Sequence, residues 1–198
     1  MRKIFFPLLT GLLLPTMSYA HAEGHGGGFM GGLSHPIFGL DHFLAMISVG
    51  ILSSQMGGRA RWIVPSTFLI AMLVGGILGM QDMKMQWLPV EPGIAFSLFA
   101  LGVAVAASRK LPLTFAMCLV GLVALFHGYA HGEEMPGSGK PTLYVCGFLC
   151  GAAGIHLVGL LAGGLVGASN RGAQLLRYIG AGIAGIGFYV LYMSYTSI

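Results

Sequence analysis

Six apolar stretches separated by short polar turns fill the chain from Pro36 to Tyr195, and each is long enough to cross or nearly cross a bilayer. Hydrocarbon offers the backbone no hydrogen-bonding partner, so runs of this kind cross as α-helices, with about 20 residues spanning the apolar core. The stretches cover about 36–56, 62–80, 92–107 (from as early as Leu88), 112–131, 142–168 and 173–195. The expected fold is therefore all-α: a polytopic membrane protein whose six transmembrane helices occupy residues 35–198. Only 8% of residues are charged and 56% are hydrophobic, which excludes an ordinary soluble domain; such domains are about a quarter charged.

Residues 1–20 read as a cleavable signal peptide. Arg2 and Lys3 precede an apolar core from Ile4 to Leu14, too short for a span, and Ser18-Tyr19-Ala20 supplies small residues for cleavage. Cleavage would make His21 the new N-terminus of a His- and Gly-rich periplasmic segment, 21–34, in which His21, Glu23 and His25 are candidate metal ligands. Arg59, Arg61, Arg109, Lys110, Arg171 and Arg177 fall at one set of turns, against Lys84 and Lys140 at the other. The positive-inside rule then puts the first set in the cytoplasm and both mature termini in the periplasm, as expected of a multi-pass protein of a bacterial inner membrane. The net charge of +4 records that asymmetry and does not point to nucleic acid. All six acids, Glu23, Asp41, Asp82, Glu91, Glu133 and Glu134, fall on the exported side or in the outer half of a span, giving a negative mouth that concentrates cations.

Several features read as packing. Gly75/Gly79, Gly147/Gly151 and Gly163/Gly167 are small-residue pairs that let helix backbones approach closely. Cys118, Cys146 and Cys150 lie in apolar runs and are expected as small packing residues; a soft-metal pair at Cys146 and Cys150 is the weaker alternative. Met80, Met83 and Met85 read as interfacial packing rather than a Cu(I) patch, and His156, midway down the fifth span, as a satisfied interhelical hydrogen-bonder, with a further ligand along a path inward as the weaker alternative. Three spans in each half, oppositely oriented, are compatible with an inverted repeat. Gly137-Ser138-Gly139-Lys140 is not a phosphate loop, because the earlier glycine is missing and Pro141 stands where Ser or Thr is required.

Chemistry concentrates in two places. His35-Pro36-Ile37-Phe38-Gly39-Leu40-Asp41-His42 sets an acid and two histidines at the start of the first span; Phe126-His127-Gly128-Tyr129-Ala130-His131-Gly132-Glu133-Glu134-Met135-Pro136 closes the fourth. Ionisable groups inside a membrane segment mark function by default, since they need a partner, water or a cation. On straight helices Asp41 and His42 would lie roughly 9–10 Å below His35, and His127 roughly 6 Å below His131, so the antiparallel spans bring the groups to matching depth. His127 and His131, four apart, share a helix stripe, and Glu134 joins it if the helix continues. Asp41 is either a direct ligand or the carboxylate that orients a histidine. Imidazoles and carboxylates without thiolate suit Ni²⁺, Co²⁺ or Zn²⁺.

The two motifs, HPIFGLDH and HGYAHGEEMP, together with the signal peptide and six spans, resemble the HupE/UreJ family of hydrogenase and urease accessory proteins, regarded as secondary nickel permeases with relatives assigned to cobalt. The resemblance implies that His35, Asp41, His42, His127, His131 and one of Glu133 and Glu134 are critical for transport. The function expected is import of a divalent transition metal, Ni²⁺ or Co²⁺, as cargo and with no prosthetic group. A membrane metal-binding or sensing protein and an intramembrane metal-dependent hydrolase are the rivals; the HExxH pattern of the latter is absent, Gly128 standing where the glutamate belongs. The expected partners are the metal ion and the lipid bilayer, with a homo-oligomer left open and nucleic acid excluded.

Overall fold

The computed structural model describes residues 28–81, 89–108, 110–135 and 140–196. The signal peptide and the ligands expected at His21, Glu23 and His25 lie outside the described residues. Within them are seven helices and no strand: α1 (Phe29–Phe38), α2 (Leu40–Met56), α3 (Ala60–Met80), α4 (Val90–Ala107), α5 (Leu113–Glu133), α6 (Pro141–Gly167) and α7 (Asn170–Thr196). The last five are each long and apolar enough to cross a membrane, whereas α1 and α2 meet that test only together, as a pair bent by 82°.

The straight first span expected over 36–56 is thus broken. Gly39 takes extended backbone angles (φ −74°, ψ 106°), its N–H closing α1 on the His35 carbonyl while its own carbonyl opens α2 by accepting from Phe43. Two local features weaken the helix here: glycine costs about 1 kcal/mol in a helix interior, and Pro36, inside α1, cannot donate to the carbonyl a turn earlier.

Three tight helix pairings build the bundle: the first span (α1 and α2) with α6, α3 with α5, and α4 with α7. Glycines set the approach. In the α3–α5 pair, Gly76 and Gly79 lie against Gly132, and Met72 against Gly128. Along the first span Phe29 meets Gly147, Leu33 meets Gly151, and Gly50 meets Gly159. Both pairs advance in the same direction, so the helices in each run parallel; Gly102 and Gly187 pack against α7 and α4 in descending order, so that pair is antiparallel. Exchanging the first three spans with the last three maps this set of pairings onto itself, the pattern an inverted repeat would produce.

The bundle places its histidine motifs at one end, where α1 meets α2 and α5 terminates, and its arginines at the other. There Arg177 of α7 donates from Nε to the Ala106 carbonyl at 3.1 Å, satisfying one of the unpaired carbonyls at the end of α4. Phe68, Leu52, Leu98 and Leu101 fill the interior. Apolar residues cover the outside too, among them Trp62, Leu165 and Phe188, as a lipid-facing surface requires. Cys118, Cys146 and Cys150 belong to that outer surface: all three are free and exposed, which corrects the expectation that they pack between helices. An apolar residue in a membrane helix is as much at home against lipid as against protein, so hydropathy alone does not separate the two.

Close backbone approach makes a stability prediction. A Cβ on Gly159 would collide with the Ile47 carbonyl oxygen, whereas one on Gly154 meets nothing within 4 Å. Gly159→Ala is expected to destabilise the bundle by about 1–3 kcal/mol, seen as a lower melting temperature in detergent, while Gly154→Ala leaves it unchanged or slightly raised.

Candidate metal centre

The site is assembled from four helix segments. The last turns of α1 carry His35, the first turn of α2 carries Asp41 and His42, the last turns of α5 carry His127 and His131, and the start of α6 brings Tyr144 and Phe148. His35, His42 and His131 each present a ring nitrogen such that the three lie within 4.8 Å of one another. A metal–imidazole bond is about 2.0–2.1 Å, so two nitrogens on one ion stand at most about 4.2 Å apart. Small side-chain rotations close the trio around a cation.

His42 is the hub. Its ring centroid lies 4.3 Å from that of His131, 5.1 Å from that of His127 and 5.9 Å from that of His35. The last separation is where the break at Gly39 matters. Seven residues along a straight helix rise roughly 10.5 Å, and the depth difference expected between His35 and His42 was of that size. The 82° bend removes most of it and swings both rings onto His131. A Cβ at residue 39 would stand 3.2 Å from His42 Nδ1, so glycine there also leaves room for the His42 ring.

Neighbouring groups fix which nitrogen each histidine offers. His42 Nδ1–H donates to Asp41 Oδ1 at 2.6 Å, and His127 Nδ1–H donates to the Val123 carbonyl at 2.9 Å. Carboxylate and carbonyl oxygens only accept, so in both rings Nε2 carries the lone pair. Both Nε2 atoms are buried with no hydrogen-bonding partner among the described residues. Asp41 thus stands behind the His42 ring, in the arrangement of an orienting carboxylate. Tyr144 and His35 share a hydrogen bond of 3.0 Å between the phenol oxygen and Nδ1. In the tautomer that binds metal through Nε2, His35 Nδ1–H donates to that oxygen. Phe148 walls the site, its ring 4.3 Å from His131.

The structure thus gathers His35, His42 and His131, with His127 one contact deeper against His42 and Asp41 behind it. It leaves Glu133 and Glu134 exposed at the end of α5, outside the trio. Glu134, with Glu91, contributes negative potential at His42. His156 is not the satisfied hydrogen-bonder expected: it is buried, and neither ring nitrogen has a partner among the described residues. A helix that packs by glycine contacts supplies backbone close by but no polar side chain aimed at the ring. Of the methionines expected as a patch, Met80 lines a small apolar cavity of about 30 Å³ beside His131, and Met83 and Met85 lie outside the described residues.

Tyr144 and Phe148 were not read as site residues from the sequence. Tyr144 stands in the first turn of a span, where tyrosine ordinarily anchors at the membrane interface. The signal that it does more is its spacing: Tyr144 and Phe148 lie four apart on α6, on the helix whose Gly147 and Gly151 hold α1.

Both histidine motifs fall within one family match. A model of the HupE / UreJ protein family covers residues 9–190. The chain belongs to the HupE/UreJ family. It is similar to Protein HupE of Rhizobium leguminosarum bv. viciae, with 44% identity over 152 residues, 77% of this chain and 78% of that protein. No solved structure matches it. Membership in the HupE/UreJ family agrees with what HPIFGLDH and HGYAHGEEMP imply.

Loss of an orienting partner typically weakens metal binding 10–100-fold. Asp41→Asn, which removes the negative charge that His42 Nδ1–H donates to, and Tyr144→Phe, which removes the hydroxyl bonded to His35, are each expected to raise the dissociation constant for Co²⁺ by that factor in an equilibrium titration of the purified protein. Protons compete with the ion for the same lone pairs, so affinity in the same titration falls steadily as pH is lowered.

Proposed function

We propose that this chain is a secondary importer of a divalent transition metal, Ni²⁺ foremost and Co²⁺ next, that supplies metalloenzyme maturation such as that of hydrogenase or urease. The observation that carries the reading is the convergence of three histidine nitrogens, from the first and fourth spans, within 4.8 Å inside an apolar bundle. Neutral imidazoles form a borderline nitrogen site that favours these ions over Mg²⁺ or Ca²⁺. Family membership supports an accessory or transport role rather than an enzymatic one.

The path runs from the periplasmic mouth. Glu91, Glu133 and Glu134, exposed at the histidine end, raise the local concentration of cations, and His21, Glu23 and His25 of the N-terminal segment collect them. The ion exchanges its water for His35, His131 and His42 in turn; His42 then hands it to His127, whose ring already touches it. Asp41 balances charge behind His42 throughout. The membrane potential supplies about 2.3 kcal/mol per charge per 100 mV, hence about 4.6 kcal/mol for a divalent ion. At about 1.4 kcal/mol per decade that permits accumulation by roughly three orders of magnitude.

Uptake of radioactive Ni²⁺ at submicromolar concentration, in cells expressing the chain or its His42→Ala variant, tests the proposal. Expression is expected to raise uptake, excess Co²⁺ to compete, and the variant to lose at least nine-tenths of it. Uptake that His42→Ala does not alter would contradict transport through this site; metal bound without uptake would favour a sensing protein.

A further inference from the structure

The handover just described ends at His127, well short of the arginine end of the bundle. Past His127, the buried Ser48 of α2 already donates its hydroxyl to the Leu44 carbonyl, and the next buried side chain able to ligate through nitrogen is His156. On α6 it lies twelve residues beyond Tyr144, roughly 18 Å further along the helix axis. Its carbonyl packs against Gly50 of α2, eight residues or roughly 12 Å past His42. It is only 3% exposed.

A buried imidazole always carries at least one N–H, and leaving that group unpaired costs about 1–3 kcal/mol. Structural histidines avoid this by donating to a nearby carbonyl, as His127 does to Val123. His156 makes no such bond: both Nδ1 and Nε2 are without partners among the described residues. A packing role would be filled better by leucine. What the position offers instead is a lone pair in a dry interior, available to whatever arrives.

One side chain joins it to the site above. The fully buried Phe68 ring of α3 meets His156 edge-on at 5.0 Å between centroids and lies 6.0 Å from His127 on its other contact. Both imidazoles therefore touch the same aromatic ring. An aromatic face tolerates a passing cation through its quadrupole but offers it no ligand.

We propose that His156 is a second, transient metal-binding station on the inward path, separated from the outer histidines by Phe68, whose ring must turn aside for the ion to pass. The inference rests on the metal reading of the outer site. One imidazole, with water or backbone oxygen completing the shell, binds a divalent ion weakly enough to release it, as conduction through successive sites requires. The ring in turn keeps the outer trio from draining before the ion is committed.

The test uses the full chain in lipid nanodiscs, His156→Cys, titrated with Co²⁺ alone. A thiolate at residue 156 that meets the ion adds a sulfur-to-cobalt charge-transfer band in the near ultraviolet to the visible bands of the histidine-bound ion. The unsubstituted chain, with the same three native cysteines, is expected to show the visible bands only. Phe68→Leu in the same background is expected to speed appearance of the sulfur band. In a second measurement, His156→Gln, which keeps hydrogen-bonding capacity but ligates poorly, is expected to lower Co²⁺ uptake into proteoliposomes at least tenfold while the outer site still binds one equivalent. Visible bands without a sulfur band, or full uptake by His156→Gln, would overturn the inner station and leave the outer site standing. No cobalt absorbance from any form would overturn the outer site and the inner station together.

Discussion

A lone pair held in a hydrocarbon-like interior is the constraint around which this molecule is arranged. His42 and His127 give up their hydration on burial, and the protein returns only half of what is lost. Asp41 and Val123 each satisfy one nitrogen, and the opposite nitrogen of the ring is left facing inward. Buried polar atoms of this kind are rare in a fold and mark a place where an ion, a water or a reacting group is accommodated. Everything nearby is consistent with keeping them available: Phe148 excludes water from one side, Tyr144 fixes the His35 ring, and Gly39 makes room for His42.

The bend at Gly39 links this chemistry to the backbone. A continuous first helix would string His35 and His42 along its axis at different depths, and one ion could not meet both. Breaking the helix costs the hydrogen bonds of one turn, and the loss is recovered by packing α1 and α2 separately along α6 through Gly147, Gly151 and Gly159. The parallel pairing of α3 with α5 does the corresponding work for the second motif, presenting His127 and His131 from a helix held by Gly76 and Gly79. Each tight pairing thus joins a helix of the first three spans to one of the last three, and both sets contribute histidines to one site.

The sequence made much of this legible. Apolar runs located five of the crossing helices to within a few residues, because hydropathy and length are what a bilayer selects. Spacing and antiparallel direction set His35 level with His131 and His42 near His127; that His42 also reaches His131 depends on the bend at Gly39. What spacing did not carry was conformation at single residues. The break at Gly39 follows from a glycine following a proline by three positions, a pattern that helices often absorb without breaking. Cys118, Cys146 and Cys150, which hydropathy reads as packing residues, face outward, because lipid and protein select the same side chains. Tyr144 was hidden for a different reason: its partner, His35, lies 109 residues away, and no local pattern announces a contact of that range.

X-ray absorption at the nickel edge, on purified protein carrying one equivalent of Ni²⁺, reads the coordination shell itself. If the first and fourth spans hold the ion jointly, the spectrum shows multiple scattering from at least three imidazoles, and His131→Ala removes one of them without changing the others. A shell of oxygen atoms alone, or an imidazole count indifferent to His131, would contradict it.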